Sequence, residues 1–187
     1  MGKILKQSFW STIVIYFGVL LGFINSIILF PKFLSTEQIG LIRQIISMSS
    51  ILIPITTFGV SGAYVKFYSQ FKKSQKLKDQ FFSFNLLIII ISYSCISIII
   101  FIFFDDLKYL FIKKSNLFLE YFYIVYYILF IMSISTLIES YLRSRYDTIM
   151  SNIINGVSNR FFTSISVILL SLSLIEFKSL IKIQILI

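Results

Sequence analysis

Apolar residues run almost unbroken through five stretches of the chain, each closed off by charged residues or turn formers. A helix of roughly 20 apolar residues crosses the hydrocarbon layer of a bilayer. Residues 9–30, 39–60, 81–104, 119–142 and 149–175 meet that length. The first stretch stops at Pro31 and Lys32 and is preceded by Lys3 and Lys6, as in a signal peptide. It is too long for the apolar region of such a peptide, and no small-x-small cleavage site follows it, so it is expected to stay as a membrane helix. After Glu176 and Lys178, residues 180–187 open a sixth apolar run too short to cross. The stretches lack the strand-like alternation of a membrane barrel. The predicted fold is all-α: one polytopic membrane helix bundle over residues 1–187, with about five transmembrane helices and an incomplete sixth.

Polar residues inside these stretches fall at helical spacing. In the first, Ser8, Ser11, Gly18, Gly22 and Asn25 share one side, and Gly18 with Gly22 forms a GxxxG pair that permits close backbone approach. In the second, Arg43, Ser47, Ser50, Pro54 and Thr57 form another stripe, with the proline placed to bend the helix. In the fifth, Asn152, Asn155, Asn159, Thr163 and Ser166 form a third. Such stripes are either helix–helix seams or the wall of a hydrated cavity. Arg43 is the best support for the cavity, because an arginine at the membrane centre costs about 2.5 to 3.5 kcal/mol on insertion scales; snorkelling to the headgroups is the competing account. Glu139 and Arg143 stand one helical turn apart and are expected to pair.

Composition sharpens this picture. Hydrophobic residues make up 57% of the 187 and charged residues 13%, against about 25% charged in soluble domains, so a soluble fold could not hide the apolar surface. Histidine is absent and Cys95 is the single cysteine, which removes the common zinc and haem ligand sets, Cys/His nucleophile pairs and an intrachain disulfide. Cys95 is expected to be a small packing residue. The acids do not compose an acid/base dyad, so no enzyme chemistry, cofactor or metal is expected. The formal charge of +9 sits mainly in short connections, which favours membrane topology and anionic headgroups over nucleic acid as its reason. Tyr121, Tyr123, Tyr126 and Tyr127 are expected to be interfacial anchors. Counting Lys and Arg on alternating connections gives ten on the amino-terminal side (Lys3, Lys6, Lys66, Lys72, Lys73, Lys76, Lys78, Arg143, Arg145 and Arg160) against seven on the other, which predicts a cytoplasmic amino terminus.

Three segments carry a family signal: Lys-Gln-Ser-x-Trp-Ser-Thr at 6–12, Gly-x-Leu-Leu-Gly-Phe-x-Asn at 18–25, and Phe-Pro-Lys-Phe-Leu-Ser-x-Glu-Gln-Ile-Gly-Leu at 30–41. On these the chain resembles bacterial polysaccharide-biosynthesis (O-antigen) flippases of the multidrug/oligosaccharidyl-lipid/polysaccharide exporter superfamily. A weaker echo follows at Phe58, Gly59, Ala63 and Lys66-Phe67-Tyr68, where Ser69 replaces the proline that relatives tend to have. From about residue 80 only the hydropathy pattern continues.

The resemblance implies a two-lobed inner-membrane transporter that moves a lipid-linked oligosaccharide by alternating access, with cargo held between lobes. It makes Asn25, Arg43 and Ser47 the candidate cargo-facing residues, Arg43 for a diphosphate or sugar acid and Asn25 for hydrogen bonding. The length corresponds to about one lobe, so the expected partners are membrane lipids, the lipid-linked oligosaccharide and a second lobe or another copy of the chain. The alternatives are a membrane remnant or scaffold that transports nothing, and drug or ion efflux within the same superfamily.

Overall fold

A computed structural model describes residues 2–71, 74–112, 116–145, 147–174 and 177–186. The described residues are helical and contain no strand. In chain order the helices are α1 (Lys3–Phe23), α2 (Phe30–Phe33), α3 (Thr36–Thr57), α4 (Val60–Phe67), α5 (Gln75–Ile102), α6 (Phe104–Ile112), α7 (Asn116–Glu120), α8 (Tyr123–Ser144), α9 (Thr148–Asn152), α10 (Asn159–Ser171) and α11 (Phe177–Leu186). Two wide π-helical turns, Ile24–Leu29 and Ile153–Ser158, join α1 to α2 and α9 to α10. Among the described residues, five continuous helical segments are long and apolar enough to cross a membrane: Leu5–Phe33, Thr36–Thr57, Gln75–Ile102, Tyr123–Ser144 and Thr148–Ser171. Their outward surfaces are apolar; on α1 alone Phe9, Ile13, Phe17, Leu20 and Phe23 are exposed. Apolar surface on that scale fits lipid, and the chain is a helical, multi-pass membrane protein.

Local chemistry sets the ends of the spans. The first was expected to stop at Pro31, yet its helix continues to Phe33. Proline lacks an N–H and crowds the carbonyl four residues back. The π-turn just before it, closed by the Phe30 N–H on the Asn25 carbonyl, accommodates the fault without ending the helix. The second span begins at a reciprocal cap: Ser35 N–H donates to Gln38 Oε1 at 2.9 Å and Gln38 N–H donates to Ser35 Oγ at 3.2 Å. Glu37 lies in the first turn, where the helix dipole favours an acid. That helix runs through Pro54 to Thr57 and ends where Phe58 (φ 48°) and Gly59 (φ 74°) enter the left-handed region, which glycine adopts freely. The fifth span starts at Asp147, whose carboxylate accepts from Met150 N–H. Helix α11 has ten residues, about half the length needed to cross, and buries Leu180 and Ile181.

The contacts group into two compact units, 1–42 with 146–187, and 43–145. In the second unit, α8 is the central element: it buries Val125, Leu129, Ser133, Leu137, Ser140 and Ser144 along one face. Thr56 and Ser133, both buried, share a 2.8 Å hydrogen bond between α3 and α8. Their hydroxyls and those of Ser140 and Ser144 also bond carbonyls three or four residues back, so no polar group on this face needs water. The expected Glu139–Arg143 ion pair is present. Cys95 departs from expectation: it is exposed on α5, among outward-facing Ile91, Ile98 and Ile99, and packs no seam. The tyrosines at 121–127 surround the start of α8, with Tyr123 edge-to-face against Tyr127.

Beyond the second span, α4 folds back on α8 and fixes an aromatic stack. Tyr64 is wholly buried, stacked on Phe81 (4.9 Å) and Tyr68 (5.7 Å) and edge-on to Phe82 and Tyr141. Its hydroxyl has no hydrogen-bond partner among the described residues. Burial, and then Tyr68, Tyr141 and Asp79, push its pKa from 10.0 to about 12. The folded state therefore holds this proton more tightly than the unfolded one. The corresponding stability is complete below pH 10 and is lost as pH rises toward 12. Tyr64→Phe keeps the ring and removes an unsatisfied hydroxyl, whose desolvation costs about 1–3 kcal/mol. The variant is expected to melt at higher temperature at neutral pH, by about 1 kcal/mol, and to lose its share of the alkaline destabilisation. Thermal unfolding in detergent across that pH range checks both, and a less stable variant would contradict the unpaired hydroxyl.

Candidate functional site

The three polar stripes have two different fates. Those of the first and fifth spans meet in the first unit and form a seam. At one end, Asn152 Nδ2 donates to the hydroxyl of Ser11. At the other, Asn25 Nδ2 donates to the Arg160 carbonyl (2.8 Å), and Asn25 Oδ1 accepts from Ser164 Oγ (2.6 Å). Between them Gly18 faces Gly156, where a Cβ on Gly18 would stand 2.8 Å from the Gly156 carbonyl oxygen. The GxxxG pair therefore does what its spacing predicts. The π-turns belong to this seam: one carries Asn25 to α10, and the other carries Gly156 to α1.

Arg160 lies in the middle of the fifth span, about 18 Å along the helix from Thr148 at 1.5 Å per residue. Its guanidinium donates to the Gly18 carbonyl and lies against Gly22, where Nη1 and Nε would be 3.0 and 3.3 Å from an added Cβ. Assigning it to a connection is thus corrected: once Asp147 caps the helix at Thr148, Arg160 is three turns inside. Without it and Arg43, the two cations that lie more than one turn inside a span, the Lys/Arg tally is nine against six on the same two sides.

Sequence reading missed Arg160 as a membrane-embedded charge. The signal was available as a single cation amid residues 148–171. Asn25, expected to face cargo, is buried instead, with both ends of its amide taken up by α10. Asn159 is exposed, Thr163 bonds the Asn159 carbonyl and Ser166 is buried; the Asn155 side chain lies outside what is described.

No family model, curated protein or solved structure matches this chain.

On α3 the polar stripe points outward. Arg43, Ser47, Ser50 and Pro54 are all exposed, whereas Ile45, Ser49 and Thr56 turn inward. Thr57, at the foot of the stripe, is buried and bonds the Ile53 carbonyl. Arg43 lies two turns inside the span, about 10 Å along the helix from Thr36. At that depth a guanidinium facing lipid would have to bend back along the helix to reach water. Chemically, the stripe offers one fixed positive charge with hydroxyls one and two turns further along. That set can receive an anionic oxygen and adjacent hydroxyl groups.

Proposed function

We propose that this chain is a lobe of a membrane transporter for a lipid-linked oligosaccharide or polysaccharide precursor, and that the outward stripe of α3 is the part of its cavity wall that meets the anionic head of the cargo. The observation that carries this reading is the exposure of Arg43, Ser47 and Ser50 along one face of a membrane helix whose buried hydroxyls, Ser49, Thr56 and Thr57, all bond internally. Lipid gives such a face no benefit, so it suits a hydrated passage whose other wall is a second body, as alternating access requires. Arg43 would take the phosphate and Ser47 would donate to the neighbouring oxygen; Asn25 belongs to the seam and is left out of this set.

Arg43→Ala is expected to lower surface glycan at least tenfold in a cell depending on this chain for export, with normal amounts of protein in the membrane. Arg43→Lys should retain part of the export, since it keeps the charge and loses the planar fork. Quantifying surface glycan against membrane-inserted protein is the check. Undiminished export in Arg43→Ala would remove Arg43 from the reading, and undiminished surface glycan on deletion of the whole chain would favour a scaffold that transports nothing.

A further inference from the structure

We infer that the second unit carries a seat for anionic phospholipid headgroups, built by the aromatic stack around Tyr64 at the membrane boundary. Three spans bring their ends to this place: α3 leaves at Thr57, α5 enters at Gln75 and α8 leaves at Ser144. Helix α4 folds across them and its rings weld them together, since Tyr64 touches Tyr68 on its own side, Phe81 and Phe82 on α5 and Tyr141 on α8.

The weld positions cations on the rings. Lys78 Nζ stands 5.9 Å from the Tyr68 ring centroid, and the Arg145 guanidinium stands 5.5 Å from that of Tyr141 while donating to its hydroxyl at 2.7 Å. The two rings meet edge-on at 6.4 Å, so the two cations sit on neighbouring rings of one stack. Lys66 on α4 and Lys76 in the first turn of α5 are exposed at the same boundary. Of the nearby acids, Glu139 is paired with Arg143, and Asp79, which accepts a hydrogen bond from the neutral Gln75 amide and keeps its charge, is outnumbered by the surrounding lysines. The result is a juxtamembrane group of Lys66, Lys76, Lys78 and Arg145 on a rigid aromatic base. Such basic groups bind anionic lipids, and aromatic rings suit the headgroup depth.

The occupant is a lipid phosphate and not a soluble anion, because the cations lie at the ends of three spans, where lipid headgroups are concentrated. This seat is independent of the α3 stripe and of transport, and would persist if the proposed function were wrong.

The test uses the full chain in detergent, titrated with phosphatidylglycerol, with phosphatidylcholine or with inorganic phosphate, and followed by thermal unfolding. Phosphatidylglycerol should raise Tm, and the other two should not. Lys66→Gln with Lys76→Gln removes charge outside the stack and should weaken the lipid response about fivefold per lysine. Lys78→Gln with Arg145→Gln should weaken it further, whereas Lys108→Gln, beyond the opposite end of α5, should leave it unchanged. An equal rise of Tm with phosphatidylcholine or soluble phosphate would overturn the assignment. So would a full response in the Lys66/Lys76 variant, which leaves the stack intact.

Discussion

Gly18→Leu is expected to destroy the seam of the first unit. Even a methyl group on Gly18 would stand 2.8 Å from the Gly156 carbonyl oxygen and 3.1 Å from its carbon, and both are backbone atoms that cannot rotate aside. Alanine there must push the two spans apart, at the about 1–3 kcal/mol typical of overpacking. Leucine should exceed about 3 kcal/mol by also breaking the seam's hydrogen bonds, each worth about 0.6 kcal/mol in membrane proteins. The opposing glycine behaves differently. A Cβ on Gly156 meets nothing within 4 Å, and the same holds for Gly40. Gly156→Ala and Gly40→Ala should therefore stay within about 1 kcal/mol of the parent chain. Unfolding in a detergent mixture of rising denaturing strength would rank the four variants. A Gly18→Leu chain that unfolds with the parent would mean that these spans do not approach as closely as described.

The parts of the structure that were legible in the sequence share a physical basis. Span number and rough position follow from hydropathy, because lipid forces every backbone polar group into an internal bond and leaves only the helix. The first- and fifth-span stripes were legible as stripes, since Gly18, Gly22 and Asn25 repeat at helical intervals, but spacing left open whether they were seams or a cavity wall. Three features were not legible. The outward direction of the α3 stripe depends on which face packs, and Ser49 and Thr56 are as polar as Ser47 and Ser50. The serine face of α8 was hidden among its apolar neighbours. The two π-turns depend on context: one lies just before Pro31, although α3 passes Pro54 without such a turn, and the other carries the Gly156 that faces Gly18. Asn25 shows the limit of reading roles from resemblance. An amide at a cavity-lining register position is equally suited to bond a neighbouring helix, and only the placement of Arg160 and Ser164 decides between them.

Arg160→Leu should separate insertion from assembly, moving them in opposite directions. For the isolated segment 148–171, arginine near the centre costs about 2.5–3.5 kcal/mol and leucine contributes about −0.3 to −0.6 kcal/mol, so insertion should improve by about 3 kcal/mol. A glycosylation-mapping insertion assay on that segment reads this directly. In the whole chain the same change removes the guanidinium from the Gly18 carbonyl and from the bare surface of Gly22. Hydrogen bonds to charged groups contribute about 1.5–3 kcal/mol, and the assembled protein should lose stability on that order. Arg160→Lys keeps the charge without the planar fork and should fall between the parent and the leucine variant in the whole chain. The paired measurement is informative because a lipid-facing arginine would give gains in both assays. If full-length Arg160→Leu is at least as stable as the parent, the arginine does not hold the seam. If it is less stable while its segment inserts better, the chain retains a costly intramembrane charge because that charge joins its first and fifth spans.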